Sequence, residues 1–144
     1  MTYNISYEAN PRQYDMELLG KGIMEYRGHD PIEFFAFFIK DENDKILGGC
    51  NGDILYGCLY VAQLWVDNSI RGKGYGVELM RKAEQLGREK GCNFLAVNTM
   101  NNDALGFYRK LGYVVEFERR GFVNDYVFYF LRKQLITIPP PIQK

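Results

Sequence analysis

Apolar and polar positions alternate at Tyr3, Ile5 and Tyr7, which predicts a first strand over Thr2 to Tyr7. Asn10-Pro11 then opens a helix, because proline is tolerated in a first helical turn. Tyr14, Leu18, Leu19, Ile23 and Tyr26 mark its apolar side. Gly20 and Gly22 weaken that helix by roughly 1 kcal/mol each relative to alanine. Gly28 to Pro31 breaks the pattern, and the run Phe34 to Lys40 has the length and character of a buried strand. The turn Asp41-Glu42-Asn43-Asp44 follows. Lys45 to Asp53 and Cys58 to Val66 are the next strands, joined near Tyr56-Gly57 and therefore expected to pair antiparallel.

The clearest helix spans Tyr75 to Lys90, where Val77, Met80, Ala83 and Leu86 recur at helical spacing. Glu78 with Lys82, and Glu84 with Arg88, form i,i+4 pairs assigned to its solvent side. Gly91 stops it. A strand at Phe94 to Asn98, a short helix at Asp103 to Leu111, and strands at Tyr113 to Arg119 and Tyr126 to Arg132 complete the pattern. The order β-α-β-β-β-α-β-α-β-β predicts an α/β fold with a mixed sheet. Residues 1–135 read as a single domain, and Ile136 to Lys144, with Pro139-Pro140-Pro141, as an irregular or extended tail.

Composition narrows the function. The 18 basic and 18 acidic residues of this 144-residue chain cancel, which removes any electrostatic case for a nucleic-acid or anionic-membrane partner. No apolar run approaches the roughly 20 residues of a membrane helix, and Met1 to Tyr7 lacks the basic and apolar regions of a secretory signal. Cys50, Cys58 and Cys92 form no CxxC and read as reduced thiols of a cytoplasmic protein; Cys92, beside an apolar strand, reads as core. His29 is the only histidine, so no histidine metal cluster is available.

The chemistry concentrates at Arg71-Gly72-Lys73-Gly74-Tyr75-Gly76, between a strand and a helix. A helix start carries unpaired N–H groups and partial positive charge, and glycines let backbone approach an anion closely. Arg71 and Lys73 add charge, so the loop suits a pyrophosphate. It lacks the Gly-x4-Gly-Lys-Ser/Thr of a P-loop. Its spacing is also not the Gly-x-Gly-x-x-Gly of a dinucleotide fold. A glycine-rich connection without a ligand is the plainer alternative.

Leu64-Trp65-Val66-Asp67 followed by this loop resembles the strand and (Arg/Gln)-x-x-Gly-x-Gly/Ala loop of the GNAT superfamily of N-acetyltransferases. Asn101-x-x-Ala104-x-x-Phe107-Tyr108-x-x-x-Gly112-Tyr113 resembles that family's second motif. The resemblance implies a mostly antiparallel sheet flanked by helices, with a bulged strand splayed from its neighbour, and transfer of acetyl from acetyl-coenzyme A to an amine without a metal. Main-chain groups of Leu64, Trp65 and Val66 would meet pantetheine and the thioester carbonyl, and Arg71 to Gly76 would hold the pyrophosphate. Asn101 would contact the cofactor arm, or only cap the helix after it. Tyr108 would protonate the departing thiolate, or only fill the core. Phe107 and Leu111 read as core. Glu25, Glu33, Gln63, Glu118 and Asp125 are candidate neighbours of the acceptor, and acids and tyrosines near Glu25-Tyr26 and Asn124-Asp125-Tyr126 would favour a cationic amine. The resemblance is compatible with a homodimer. It leaves open the amine, a longer acyl group, and a coenzyme A-binding module without catalysis.

Overall fold

The computed structural model describes residues 2–136. These fall into two compact units that divide between Pro31 and Ile32. All but the first residue of the proline-rich tail lies outside the described residues.

The first unit contains helix α1, Gln13–Arg27. Its start carries no side-chain cap, and Arg12 instead pairs with Asp15 at 2.8 Å. Gly28, at φ 88°, ends it by donating its N–H to the Met24 carbonyl at 2.8 Å. The strand expected at Thr2 to Tyr7 does not form, and Tyr3, Ile5 and Tyr7 are exposed. Alternation supplies an apolar face, but a strand also needs a neighbour for its backbone groups.

The second unit is built on six strands: β1 Glu33–Lys40, β2 Ile46–Leu55, β3 Cys58–Val66, β4 Phe94–Thr99, β5 Val114–Arg119 and β6 Phe128–Gln134. Their spatial order is β1-β2-β3-β4-β6-β5. Every pairing is antiparallel except β3 with β4. Helices α2, Tyr75–Glu89, and α3, Asn102–Lys110, lie in the two connections that flank β4. The mixed, mostly antiparallel sheet expected from the sequence is therefore present, with element limits within two residues for most of this unit.

The core lies between α2, which packs on β1 to β4, and the sheet. Leu59, Met80, Ala83, Cys92, Leu95 and Val97 are wholly buried there. Glu84 departs from the expected solvent side of α2, being only 4% exposed. Its carboxylate accepts from Lys133 Nζ at 2.6 Å and from the Tyr113 hydroxyl at 3.3 Å. A helical period cannot show that β6 will bring a cation to that position, and burial of the charge requires such a partner. Among the described residues no helix is long and apolar enough to cross a membrane.

Candidate functional site

Strands β3 and β4 pair only at Cys58↔Phe94, Leu59↔Leu95 and Tyr60↔Ala96. Beyond Tyr60 the two strands run on without each other. The cause is local. On β2, Asn51 pairs with Gln63 and the next residue, Gly52, pairs with Val61, so Ala62 has no opposite number. Such an extra residue bends its strand and sharpens its twist. Gly52 permits the tight approach, since a Cβ there would overlap the Tyr60 carbonyl oxygen. The parting leaves a cleft of about 570 Å³ lined by Gly48–Asn51, Ala62–Trp65, Asn98, Thr99, Ala104 and Tyr108, with Phe38 and Ile46 at its side.

Past Val66 the chain makes a short 3-10 turn, Asn68–Ile70, capped by the Asp67 carboxylate, which accepts from the Ser69 N–H at 3.0 Å. Hydrogen bonds from the Ser69 hydroxyl and then its N–H hold the Asp67 carboxyl below its usual range. The loop Arg71 to Gly76 follows. Gly72 and Gly74 take φ of 76° and 85°, a region that favours glycine, and nothing lies within 4 Å of where their Cβ atoms would be. Gly74 is the N-cap of α2 and offers no side chain to its N–H groups. The Glu78 N–H reaches the Gly74 carbonyl at 3.0 Å, so the N–H groups ahead of Glu78 precede the first intrahelical bond. Arg71 folds back, its Nε donating to the Val66 carbonyl at 2.8 Å. Lys73 is exposed.

A second hollow, of about 390 Å³, lies at this loop and is lined by Val66, Ile70, Arg71, Gly72, Gly74–Val77 and Phe107. Phe107 packs against the core as expected and also lines this hollow; its Cζ stands 3.4 Å from where a Gly76 Cβ would be. The two hollows are lined by consecutive residues. Val66 and Phe107 belong to the loop hollow, and Trp65 and Tyr108 to the cleft. The uncapped start of α2 and the parting of the strands thus carry hollows lined by neighbouring residues.

Tyr108 is 7% exposed, edge-on to the rings of Phe107 and Tyr113 at 5.4 Å and 5.7 Å. Burial raises its phenol above the usual value, and the nearby Cys50 and Tyr60 add to the effect, so it keeps its proton at neutral pH. Asn101 Oδ1 accepts from the N–H groups of Asp103 at 2.7 Å and Ala104 at 3.0 Å, which caps α3. The Asn101 N–H in turn donates to Thr99 Oγ1 at 3.0 Å, tying that cap to the end of β4. Burial pushes the thiols of Cys50 and Cys58 up to about 11 and raises that of Cys92, so none is primed as a nucleophile.

The expected acceptor neighbours separate. Gln63 lines the cleft, its Oε1 accepting from Asn51 Nδ2 at 3.0 Å. Glu33 pairs with Ile54, at the end of β2 remote from the cleft, and is bound by Lys90 at 2.8 Å. Glu118 is paired with Arg120 at 2.7 Å. Asp125 lines a third hollow of about 580 Å³ with Asn101, Tyr126 and Tyr129. Glu25 and Tyr26 belong to the first unit. Sequence reasoning missed Phe38, Asn51, Asn98 and Thr99 as cleft residues. For three of them a signal was present: Asn51 interrupts a run of small and apolar residues, and Asn98-Thr99 closes the apolar run Phe94–Val97.

The model of the acetyltransferase (GNAT) family matches residues 1–113. A blasticidin-S acetyltransferase of Streptomyces morookaense is 38% identical over 92 residues, which cover 63% of this chain and 65% of that protein, just under two thirds of its length. The crystal structure of a candidate acetyltransferase from Agrobacterium tumefaciens superposes with a TM-score of 0.82 at 25% identity, covering 93% of this chain and 99% of that one. An aminoglycoside 6'-N-acetyltransferase complexed with coenzyme A shares the fold, with a TM-score of 0.65 at 19% identity over 75% of this chain and 76% of its own.

Proposed function

Because the chain belongs to the acetyltransferase (GNAT) family, we propose that it transfers an acetyl group from acetyl-coenzyme A directly to a primary amine. The observation that carries this reading is the pair of neighbouring hollows, one at the open start of α2 and one at the parting of β3 and β4. The N–H groups at the start of α2, with Arg71, Gly72, Lys73, Gly74, Tyr75 and Gly76, would hold the pyrophosphate: the donors suit an anion, and the loop stands in open space. Main-chain groups of Leu64, Trp65 and Val66, on the stretch of β3 that β4 no longer pairs with, would face the ligand. There they would hydrogen-bond the pantetheine amides and polarise the thioester carbonyl.

The amine nitrogen forms a bond to the acetyl carbon, and the carbon–sulfur bond breaks. The nitrogen sheds a proton to water, the departing sulfur takes one from Tyr108, and the phenolate regains its proton from solvent. That phenol suits the donor role, since burial keeps it protonated beside the cleft. Direct transfer is supported by the three raised thiols, none of which is disposed to carry an acyl group. Asn101 serves through the cap that holds α3, and with it Tyr108, against β4. The relative named for blasticidin S and the neighbour named for aminoglycosides support a small-molecule amine as acceptor. The test is thiol release from acetyl-coenzyme A over a library of amines, with and without the protein. Protein-dependent release with at least one amine is expected; binding of the cofactor without release for any amine would point to a coenzyme A-binding module instead.

A further inference from the structure

Helix α3 ends in a turn that folds Tyr113 back onto Tyr108. Gly112, at φ 96°, permits the reversal. The Gly112 N–H donates to the Arg109 carbonyl at 3.0 Å, and the Tyr113 N–H to the Tyr108 carbonyl at 3.1 Å. These two bonds end the helix and bring the side chains of Tyr108 and Tyr113 together. Their rings meet edge-on, with centres 5.7 Å apart and planes at 67°.

Such a helix end needs only an apolar side chain where Tyr113 stands. Tyr113 instead carries a hydroxyl into the interior, where the residue is 2% exposed. That hydroxyl donates to Glu84 Oε2 of α2 at 3.3 Å. Glu84 is the one charged residue that is buried among the described residues. Its Oε1 accepts from Lys133 Nζ of β6 at 2.6 Å, and the same ammonium stands 5.7 Å from the centre of the Tyr113 ring. A buried ion pair is poor evidence of added stability, because desolvation offsets its attraction. What the arrangement fixes is the Tyr113 ring, held by Glu84 at its hydroxyl, by Lys133 at its face and by the end of α3 at its N–H. That ring bears on Tyr108, which lines the cleft.

We propose that Tyr113 is a positioning residue that holds the Tyr108 phenol at the cleft, and that Glu84 acts through it by anchoring the Tyr113 hydroxyl. The assignment rests on the acetyl-transfer reading above, in which Tyr108 protonates the departing sulfur. Proton transfer needs the phenol within hydrogen-bond reach of that sulfur, so a loosened ring lowers turnover while the phosphate loop is untouched.

The test is a double-mutant cycle on the full chain. Thiol release from acetyl-coenzyme A is followed with an amine that the wild-type protein acetylates, and cofactor Kd by melting. Tyr113→Leu loses ring and anchor and is expected to lower kcat about thirtyfold; Tyr113→Phe keeps the ring, loses the anchor and lowers it about threefold. Cofactor Kd stays within about twofold in both, which also shows that both fold. In a Tyr108→Phe background each change is expected to alter kcat by less than about twofold. With tyrosine carrying carbon-13 at Cζ, the Tyr108 resonance, assigned by its loss in Tyr108→Phe, should be one sharp line in the wild type and broadened or split in Tyr113→Leu. Equal losses of kcat in both backgrounds, or an equally sharp line in Tyr113→Leu, overturn the positioning role alone. An unchanged kcat in Tyr113→Phe overturns the part given to Glu84. No thiol release by the wild type with any amine overturns the acetyl-transfer reading and this role with it.

Discussion

Helices α2 and α3 both begin near the cleft, and they begin differently. The start of α3 is closed by the protein itself: Asn101 Oδ1 takes two of its N–H groups, and Thr99 takes the N–H of Asn101. The start of α2 has glycine at the capping position and no side-chain acceptor. A cap contributes about 1 kcal/mol, so leaving α2 uncapped forgoes stability of that order. The second unit thus satisfies the helix start that positions Tyr108 and leaves open the one at the loop hollow. An open start with positive backbone curvature suits a ligand anion, whereas a closed start suits a fixed side chain.

The contrast is broken most severely at Gly74. Gly74→Glu places a carboxylate where the phosphates would bind and a side chain at φ 85°. It is expected to abolish the rise in melting temperature with acetyl-coenzyme A, an affinity loss of roughly a hundredfold or more. A retained shift would mean that the α2 start is not the phosphate site.

Tyr108→Phe tests the cleft end of the site. Turnover is expected to fall roughly a hundredfold while the cofactor Kd stays similar. Burial raises the phenol, so its acid form persists as pH rises through the ordinary tyrosine value near 10. The wild-type alkaline loss of kcat assignable to this group should therefore fall above about pH 10 and be missing in the variant. Unchanged turnover would remove Tyr108 from the chemistry.

Asn101→Ala is the mildest change and sharpens the comparison most. Loss of the cap is expected to cost about 1 kcal/mol, a fall of a few degrees in Tm, with the cofactor Kd within about twofold. A large loss of cofactor affinity would instead give Asn101 a direct contact with the cofactor arm.

Local pattern anticipated most of the second unit because its signals are local. The period of Val77, Met80, Ala83 and Leu86 placed α2, and the turns at Asp41–Asp44 and Tyr56-Gly57 placed the limits of β1 to β3. The same reasoning failed at Thr2 to Tyr7, where alternation found no strand to join. It also misread Glu84, whose partners Tyr113 and Lys133 are 29 and 49 residues away. In the site, the motif positions Trp65 and Tyr108 line the cleft, and Val66, Arg71, Gly72, Gly74, Tyr75 and Gly76 line the loop hollow. Phe38 and Asn51 escaped notice because their place in the cleft depends on strand register across β1, β2 and β3.

The sequence by itself determined the helix start at Gly74 and the family. Backbone conformation, capping and motif spacing act over a few residues and can be read one segment at a time. The parting of β3 from β4, the lining of the cleft and the burial of Glu84 were decided only by tertiary structure. Each depends on which residues from distant segments face one another, and a single bulge at Ala62 shifts that pairing for everything beyond it.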